Sequence, residues 1–358
     1  MNILTVLGTR PEIIKMAPLL PLFDQLGRHI IVHSGQHYSA EMDEIFFREL
    51  ELRPPDHFLR VGSVPPAMQV GRIAEGVEEN IFKYKPDWIV VHGDTNTTLG
   101  GALAAAKNRC SDVRLAHVEA GARSFNDLQP EELNRILVDR MSDLLFAPTE
   151  GDSENLIAEG LRSDRIVVTG NTVVESCRRM AALIDNELPR GKHKFQYAVA
   201  TFHRQESVDN PAVLSEIWGA LSDLAKLISI VLPIHPRTKK MLAQSGLSLE
   251  PPGLEISEPV GYREMTALLK NARFCLTDSG GLQEEAAILG IPALILRDRT
   301  EHRRYVDCGL HRLAGYERKS IVYEADLLLN DSEWNLRRSI TPPLDQNVME
   351  KIIDALKK

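Results

Sequence analysis

Short apolar, β-rich runs alternate with amphipathic helical patterns along nearly the whole chain, and few folds accept that rhythm. Runs at 2–7, 29–33, 88–92, 113–117, 144–147 and 166–168 are separated by helical patterns at 11–25, 40–50, 66–84, 96–108, 130–141, 150–159 and 171–185. Strands joined through helices pair in parallel, and the helices then cover both faces of the sheet. The stretch 185–194 is polar and carries both Pro189 and Gly191, which marks a linker. Beyond it the rhythm resumes, with strands at 197–202, 228–232, 274–277 and 293–296 and helices at 212–226, 237–244, 262–271 and 281–289. The expected fold class is α/β, in two units of similar size, residues 1–185 and 186–345, followed by an amphipathic helix within 346–358.

The length of 358 residues suits that division, since domains run to about 150 residues and each half can bury its own core. Forty-two basic against fifty acidic side chains leave a net charge of −8, so general attraction to nucleic acid or anionic lipid is not expected. No apolar run approaches the ~20 residues of a membrane span, and the amino-terminal run lacks a basic segment before it, so a cytoplasmic address is expected. Cys110, Cys177, Cys275 and Cys308 form no C-x-x-C pair, which argues against a zinc ribbon or redox dithiol.

In an open parallel sheet, ligands bind where loops leave the carboxyl ends of the strands. Chemistry-bearing residues stand at those places here: Arg10 and Lys15 after 2–7, Gln36 and His37 after 29–33, His92 and Asp94 after 88–92, and His117 and Glu119 after 113–117. In the second half His203 and Arg204 follow 197–202, His235 follows 228–232, and Asp278 and Ser279 follow 274–277. Gly8-Thr9-Arg10-Pro11-Glu12 turns a strand into a helix whose amino end suits an anion. It is not G-x-G-x-x-G, and Ser34-Gly35-Gln36 stands where a dinucleotide site needs an acid, so NAD is not expected. Asp278-Ser279-Gly280-Gly281-Leu282-Gln283-Glu284-Glu285 repeats the scheme. Ser279, Gly280 and Gly281 offer a hydroxyl and open backbone N–H groups to phosphate, and an acid one turn later can accept two ribose hydroxyl bonds.

Asp94, Glu119 and Glu131 lie at a strand end, the next strand end and a helix start, and convergent acids imply proton transfer. Singly, Asp94 also reads as the N-cap of helix 96–108, and Glu131 as an i,i+4 partner of Arg135. The chain contains no D-x-D, H-E-x-x-H, Walker lysine loop or G-x-S-x-G. No metal or cofactor is therefore expected, and neutralising a leaving diphosphate falls to Arg10, Lys15, Arg204 and helix ends.

Seven motifs in order along residues 2–315 resemble the non-hydrolysing UDP-N-acetylglucosamine 2-epimerases. They are Gly8-Thr9-Arg10-Pro11-Glu12 with Lys15, His92-Gly93-Asp94-Thr95, His117-Val118-Glu119-Ala120-Gly121, Pro130-Glu131-Glu132 with Asn134-Arg135, Gly170-Asn171-Thr172, His203-Arg204, and Asp278 to Glu285. The resemblance implies a GT-B architecture: two Rossmann-like domains, an active site in the cleft between them, and a carboxy-terminal helix returning to the first domain. It implies reversible conversion of UDP-GlcNAc to UDP-ManNAc, by elimination of UDP to 2-acetamidoglucal and re-addition. It assigns Asp94, Glu119, Glu131 and His203 to catalysis. Arg10, Lys15, Arg204, His235, Ser279, Gly280 and Gly281 go to UDP and Glu285 to the ribose. A homodimer is also implied.

Two places depart from the family pattern. Its Thr-Glu-Arg-Pro-Glu is here Thr300-Glu301-His302-Arg303-Arg304, and the Gln-His-Arg-Gln of members that bind a second UDP-GlcNAc as activator is here Gln36-His37-Tyr38-Ser39. The same mechanism could serve another UDP-HexNAc, of the N-acetylfucosamine or diacetamido-uronate type. A nucleotide-sugar sensor without turnover is the non-enzyme alternative.

Overall fold

The computed structural model describes residues 1–36, 40–126, 128–187, 196–248 and 251–358. The apolar runs form two sheets in which every pairing is parallel. The first contains β1 (Ile3–Leu7), β2 (His29–His33), β3 (His57–Phe58), β4 (Trp88–His92), β5 (Arg114–Val118), β6 (Leu144–Ala147) and β7 (Ile166–Val168), in the order β3-β2-β1-β4-β5-β6-β7. The second contains β8 (Tyr197–Thr201), β9 (Ser229–Pro233), β10 (Leu254–Ser257), β11 (Cys275–Thr277), β12 (Ala293–Ile295) and β13 (Arg312–Leu313), in the order β10-β9-β8-β11-β12-β13. Strands β1, β2 and β4 are buried along their full length, as sheets covered by helices on both faces require. Both sheets reverse their strand order once, at β1/β4 and at β8/β11. In open parallel sheets such switch points are where ligands bind, beyond the carboxyl ends of the strands.

The chain divides into two compact units, Met1–Ser176 with Asp345–Lys358, and Cys177–Leu344. The changeover falls inside the helix Val173–Glu187, whose later turns are held in the second unit by Lys270 Nζ donating to the Ala181 carbonyl at 3.0 Å. Of the expected linker at 185–194, residues 188–194 lie outside the described residues. The final helix, Val348–Leu356, belongs to the first unit: Trp88 Nε1 donates to the Leu356 carbonyl at 3.0 Å, and Asn171 N–H to Asp345 Oδ2 at 3.0 Å. In the first unit one core packs Leu4, Val6, Ile89 and Val91 against Ile73, Val77 and Ala102. In the second, Ala198, Ala200 and Leu276 pack against Ile217, Leu221 and Ile321.

Differences from the sequence reading occur at the margins. The edge strands β3, β10 and β13 have two to four residues each, too few to show a period. The single helix expected over 11–25 is two, Arg10–Met16 and Leu20–Leu26, because Pro18 cannot donate to a continuing helix and Pro21 suits the first turn of a new one. Helices at Arg318–Leu329 and Asp331–Arg338 lie beyond the expected alternation.

Candidate active site

At the first switch point the loop after β1 meets the loop after β4, and a buried acid joins them. Glu12 Oε2 accepts from the N–H groups of Gly8 and Thr9 at 2.7 and 2.8 Å, while Oε1 accepts from the hydroxyls of Thr95 and Thr98 at 2.6 and 3.1 Å. Burial raises its carboxyl above the ordinary range, partly offset by the Thr95 bond. Gly8 permits this approach, since a Cβ there would lie 1.9 Å from Ser34 Oγ and 2.2 Å from Thr97 Oγ1. Thr95 accepts from the N–H groups of Thr97 and Thr98 and so caps the helix Asn96–Lys107; the alternative reading of Asp94 as that cap is corrected.

Glu119 stands just past β5 in a left-handed conformation, φ 73°, which a non-glycine residue adopts only when its surroundings enforce it. Lys15 Nζ donates to both carboxylate oxygens at 2.8 and 2.6 Å, and His92 Nε2 lies 2.9 Å from Oε2. Burial alone would raise this carboxyl, but the Lys15 charge and then the His92 contact hold it well below the ordinary range. Asp94 Oδ2 accepts from Arg135 Nη2 at 2.6 Å, and its main-chain carbonyl from Asn134 Nδ2 at 2.8 Å. Arg135 also donates to Glu132 at 2.8 Å. Glu132 is buried and accepts from the N–H groups of Ser124 and Phe125, which hold its carboxyl down against its burial.

These contacts sort the sequence candidates. Asp94 and Glu119 stand at neighbouring strand ends, each clasped by a cation. Glu131 is exposed on the first turn of the helix Pro130–Met141 and makes no ion pair among the described residues. The pairing expected between Glu131 and Arg135 is made by Glu132. Lys15, expected to face UDP, grips Glu119. Arg10 lies with its guanidinium 4.9 Å from the Phe46 ring centroid. Gln36 Oε1 accepts from Thr97 Oγ1 at 2.6 Å, whereas His37, Tyr38 and Ser39 lie outside the described residues.

The second switch point repeats the device. Buried Asp278 at the end of β11 accepts from the N–H groups of His203 and Arg204 after β8, at 3.0 and 2.9 Å. The His203 ring stacks on His235, with centroids 4.9 Å apart, and His235 caps the helix Pro236–Gln244 by accepting from the Arg237 N–H. Burial and the neighbouring His203 lower the His235 pKa. Ser279 caps the helix Gly280–Ile288. A Cβ on Gly280 would lie 2.9 Å from Glu301 Oε1 and 3.1 Å from His302 Nε2, whereas one on Gly281 would meet nothing within 4 Å. Arg204 Nη2 donates to Glu301 at 3.3 Å, and Arg297 holds the other oxygen at 2.8 Å. Half-buried Glu285 lies on the same helix. His302 and Arg304, two of the replaced residues, both approach Glu284, at 3.8 and 3.4 Å. Among the described residues no group of three or more His, Cys, Asp or Glu is placed to hold a metal ion.

The sequence reading gave no site role to Glu12, Glu132, Arg135 or Glu301, and it placed His92 and Asp278 at the sheet rim without a partner. Each sits inside or beside a recognised motif. The available signal was an acid or base adjacent to a strand end, which does not say what it will touch.

Two doubly wound parallel units, each with a polar switch point, define an α/β protein of the GT-B class. A family model described as UDP-N-acetylglucosamine 2-epimerase matches residues 24–357. The UDP-N-acetylglucosamine 2-epimerase of Methanocaldococcus jannaschii is 41% identical over 343 residues, covering 92% of this chain and 93% of that protein. The UDP-2,3-diacetamido-2,3-dideoxy-D-glucuronate 2-epimerase of Pseudomonas aeruginosa is 41% identical over 330 residues, 91% of each. A solved structure of the UDP-GlcNAc 2-epimerase from Methanocaldococcus jannaschii matches with a TM-score of 0.84 and 37% identity over 100% of this chain and 99% of that one. One from Neisseria meningitidis bound to UDP-GlcNAc matches with a TM-score of 0.83 and 30% identity over the whole of both chains. The chain belongs to the UDP-N-acetylglucosamine 2-epimerase family.

Proposed function

We propose that the protein interconverts UDP-GlcNAc and UDP-ManNAc. The observation that carries this reading is the Glu119 carboxylate, kept ionised by Lys15 and His92 at the strand end next to Asp94. The C2 hydrogen of the sugar has no carbonyl to acidify it, so its removal needs positive charge to grow on the ring as the C1–O bond breaks. A carboxylate held as an anion counters that charge. The electron pair of the C1–O bond leaves with UDP, the C2 proton passes to a base, and the C2–H pair forms the C1–C2 double bond of 2-acetamidoglucal. Re-addition of UDP with protonation from the opposite face gives the epimer.

Asp94 and Glu131 are the acids we assign to the C2 proton. Asp94 Oδ2 is held by Arg135, while Oδ1 bears no hydrogen bond or ion pair among the described residues. In the second unit, Ser279, Gly280 and Gly281 at a helix amino end, with Arg204, suit the diphosphate. His203 and His235 flank that end of the sheet, and Glu285 is assigned to the ribose. Arg10 and Lys15 assist the leaving UDP. We assign the acid/base role to residues 1–185 with 346–358 and UDP binding to residues 186–345. A homodimer and a cytoplasmic address accompany the reading.

Incubation with UDP-GlcNAc in deuterated water is expected to yield UDP-ManNAc carrying deuterium at C2. Product without solvent deuterium overturns the proton-exchange mechanism, and UDP binding without turnover of any UDP-HexNAc favours a sensor. The diacetamido-glucuronate relative, as similar as the UDP-GlcNAc enzymes, supports a second reading in which the same chemistry acts on that sugar. A panel of UDP-sugars compared by kcat/KM decides between them.

A further inference from the structure

Asp94 and Glu119 are oriented by Arg135 and Lys15, but their backbones are held by a different set of groups that touch neither carboxylate. His117 points from β5 into the interior with its side chain wholly buried. Its Nδ1 lies 2.7 Å from Asp139 Oδ1 and its Nε2 2.8 Å from the carbonyl of Gly93, the residue before Asp94. Asp139, also wholly buried, accepts with Oδ2 from the N–H of Gly121, two residues after Glu119, at 3.1 Å, and from Arg123 Nη2 at 2.8 Å. Arg123 is anchored in turn on Glu159 at 2.6 Å. One buried chain of contacts therefore fastens the loop after β4 to the loop after β5.

Those loops need fastening. Gly93, Glu119 and Gly121 all have positive φ, at 71°, 73° and 85°. A Cβ on Gly121 would lie 2.3 Å from the Asp152 carbonyl oxygen, so this turn has little room to shift. Both ring nitrogens of His117 face acceptors, and a neutral ring can serve only one of them. Burying Asp139 and Arg123 carries a desolvation cost that tight packing of apolar groups would avoid.

We propose that His117 and Asp139 are positioning residues that fix the separation and orientation of Asp94 and Glu119. The proposal rests on the epimerase reading, in which both carboxylates act on the same sugar. Fixed in place, they act within one bound lifetime of the glycal. Released, elimination outruns re-addition, and UDP and 2-acetamidoglucal escape as separate products.

The test uses the full chain with UDP-GlcNAc, and rates are normalised to the folded fraction by circular dichroism. His117→Gln can still reach the Gly93 carbonyl from the Nε2 position. His117→Asn keeps only the Asp139 side, and Asp139→Asn weakens the hold on Gly121. The Asn variants are expected to lose about 10- to 100-fold in kcat, the range for displacements of about 1 Å, with KM within about threefold of wild type. A larger share of their turnovers should end as free glycal and UDP, while His117→Gln recovers most of kcat. Unchanged kcat and unchanged glycal release in the folded Asn variants overturn the proposal, as does failure of both to fold, which makes the pair a stability element. A wild type that incorporates no deuterium at C2 fails the functional reading instead, so the two failures are separable.

Discussion

Replacing Lys15 by Met removes one charge while keeping most of the aliphatic stem, and the structure says what should follow. Lys15 donates to both oxygens of Glu119, and the two side chains are each about one quarter exposed, so solvent screens the pair only in part. A hydrogen bond to a charged group contributes about 1.5–3 kcal/mol, and at about 1.36 kcal/mol per pH unit its loss raises the Glu119 carboxyl by about 1–2 units. His92, 2.9 Å away, remains and limits the rise. In wild type the folded-state value is depressed, so the Glu119 contribution to stability is present above the unfolded value and is lost as pH falls through the folded one. Lys15→Met removes the Lys15 share of that contribution and leaves the His92 share. The variant should therefore melt at a lower temperature near neutral pH, and the acid limb of its kcat profile should move to higher pH. Initial rates of UDP-ManNAc formation across a buffer series measure the limb, and KM measured alongside reports any separate contact of Lys15 with UDP. An acid limb coincident with that of wild type would refute the claim that Lys15 keeps Glu119 ionised.

Three further outcomes follow from the same geometry. Gly8→Ala forces a methyl to within 1.9 Å of Ser34 Oγ and breaks the Ser34–Thr97 hydroxyl bond, which should cost about 2–3 kcal/mol in urea unfolding. Asp278→Asn cannot present two charged acceptors to the N–H groups of His203 and Arg204, and UDP affinity by calorimetry should fall about tenfold, or about 1.4 kcal/mol; unchanged affinity would separate this clamp from UDP binding. His311, buried and held neutral between the Ala293 N–H and the Gln283 carbonyl, has its pKa lowered by burial to about 4 from an ordinary 6.5. The unfolded chain takes that proton first, so about 3 kcal/mol of stability should be lost as pH falls between those values, and His311→Gln should flatten the slope.

The fold was legible because its information is periodic. Buried parallel strands such as Trp88–His92 announce themselves by apolar runs, and the residues after them fall at the sheet rim by geometry alone. Edge strands carry no such signal: β3 is only His57-Phe58. The candidate site was legible as a set of positions at strand ends and only partly as a set of contacts. Glu131 and Glu132 are adjacent and chemically alike, yet the helix Pro130–Met141 turns one outward and buries the other against Arg135. The sequence spacing allowed Glu131 to pair with Arg135 at i,i+4, but Arg135 bridges instead to Glu132 at i,i+3 and to Asp94, 41 residues away. Partner choice depends on helix rotation and loop path, which local pattern does not encode.

The acids at the two switch points divide by what holds them. Glu12 accepts from two backbone N–H groups and two hydroxyls, and Asp278 from two backbone N–H groups. Asp278 and one oxygen of Glu12 are committed to the main chain, and the other Glu12 oxygen to the hydroxyls of Thr95 and Thr98, so moving either acid would open the loops it joins. Glu119 and Asp94 are held through cationic side chains instead, and Lys15 and Arg135 end flexible stems that can follow a ligand without unmaking the fold. An anionic diphosphate competes for such cations, as no ligand competes for a buried N–H. On this argument the acids available for chemistry are those gripped by side chains, and Glu12→Gln should damage stability more than it changes the acid limb of the rate profile, the reverse of Lys15→Met.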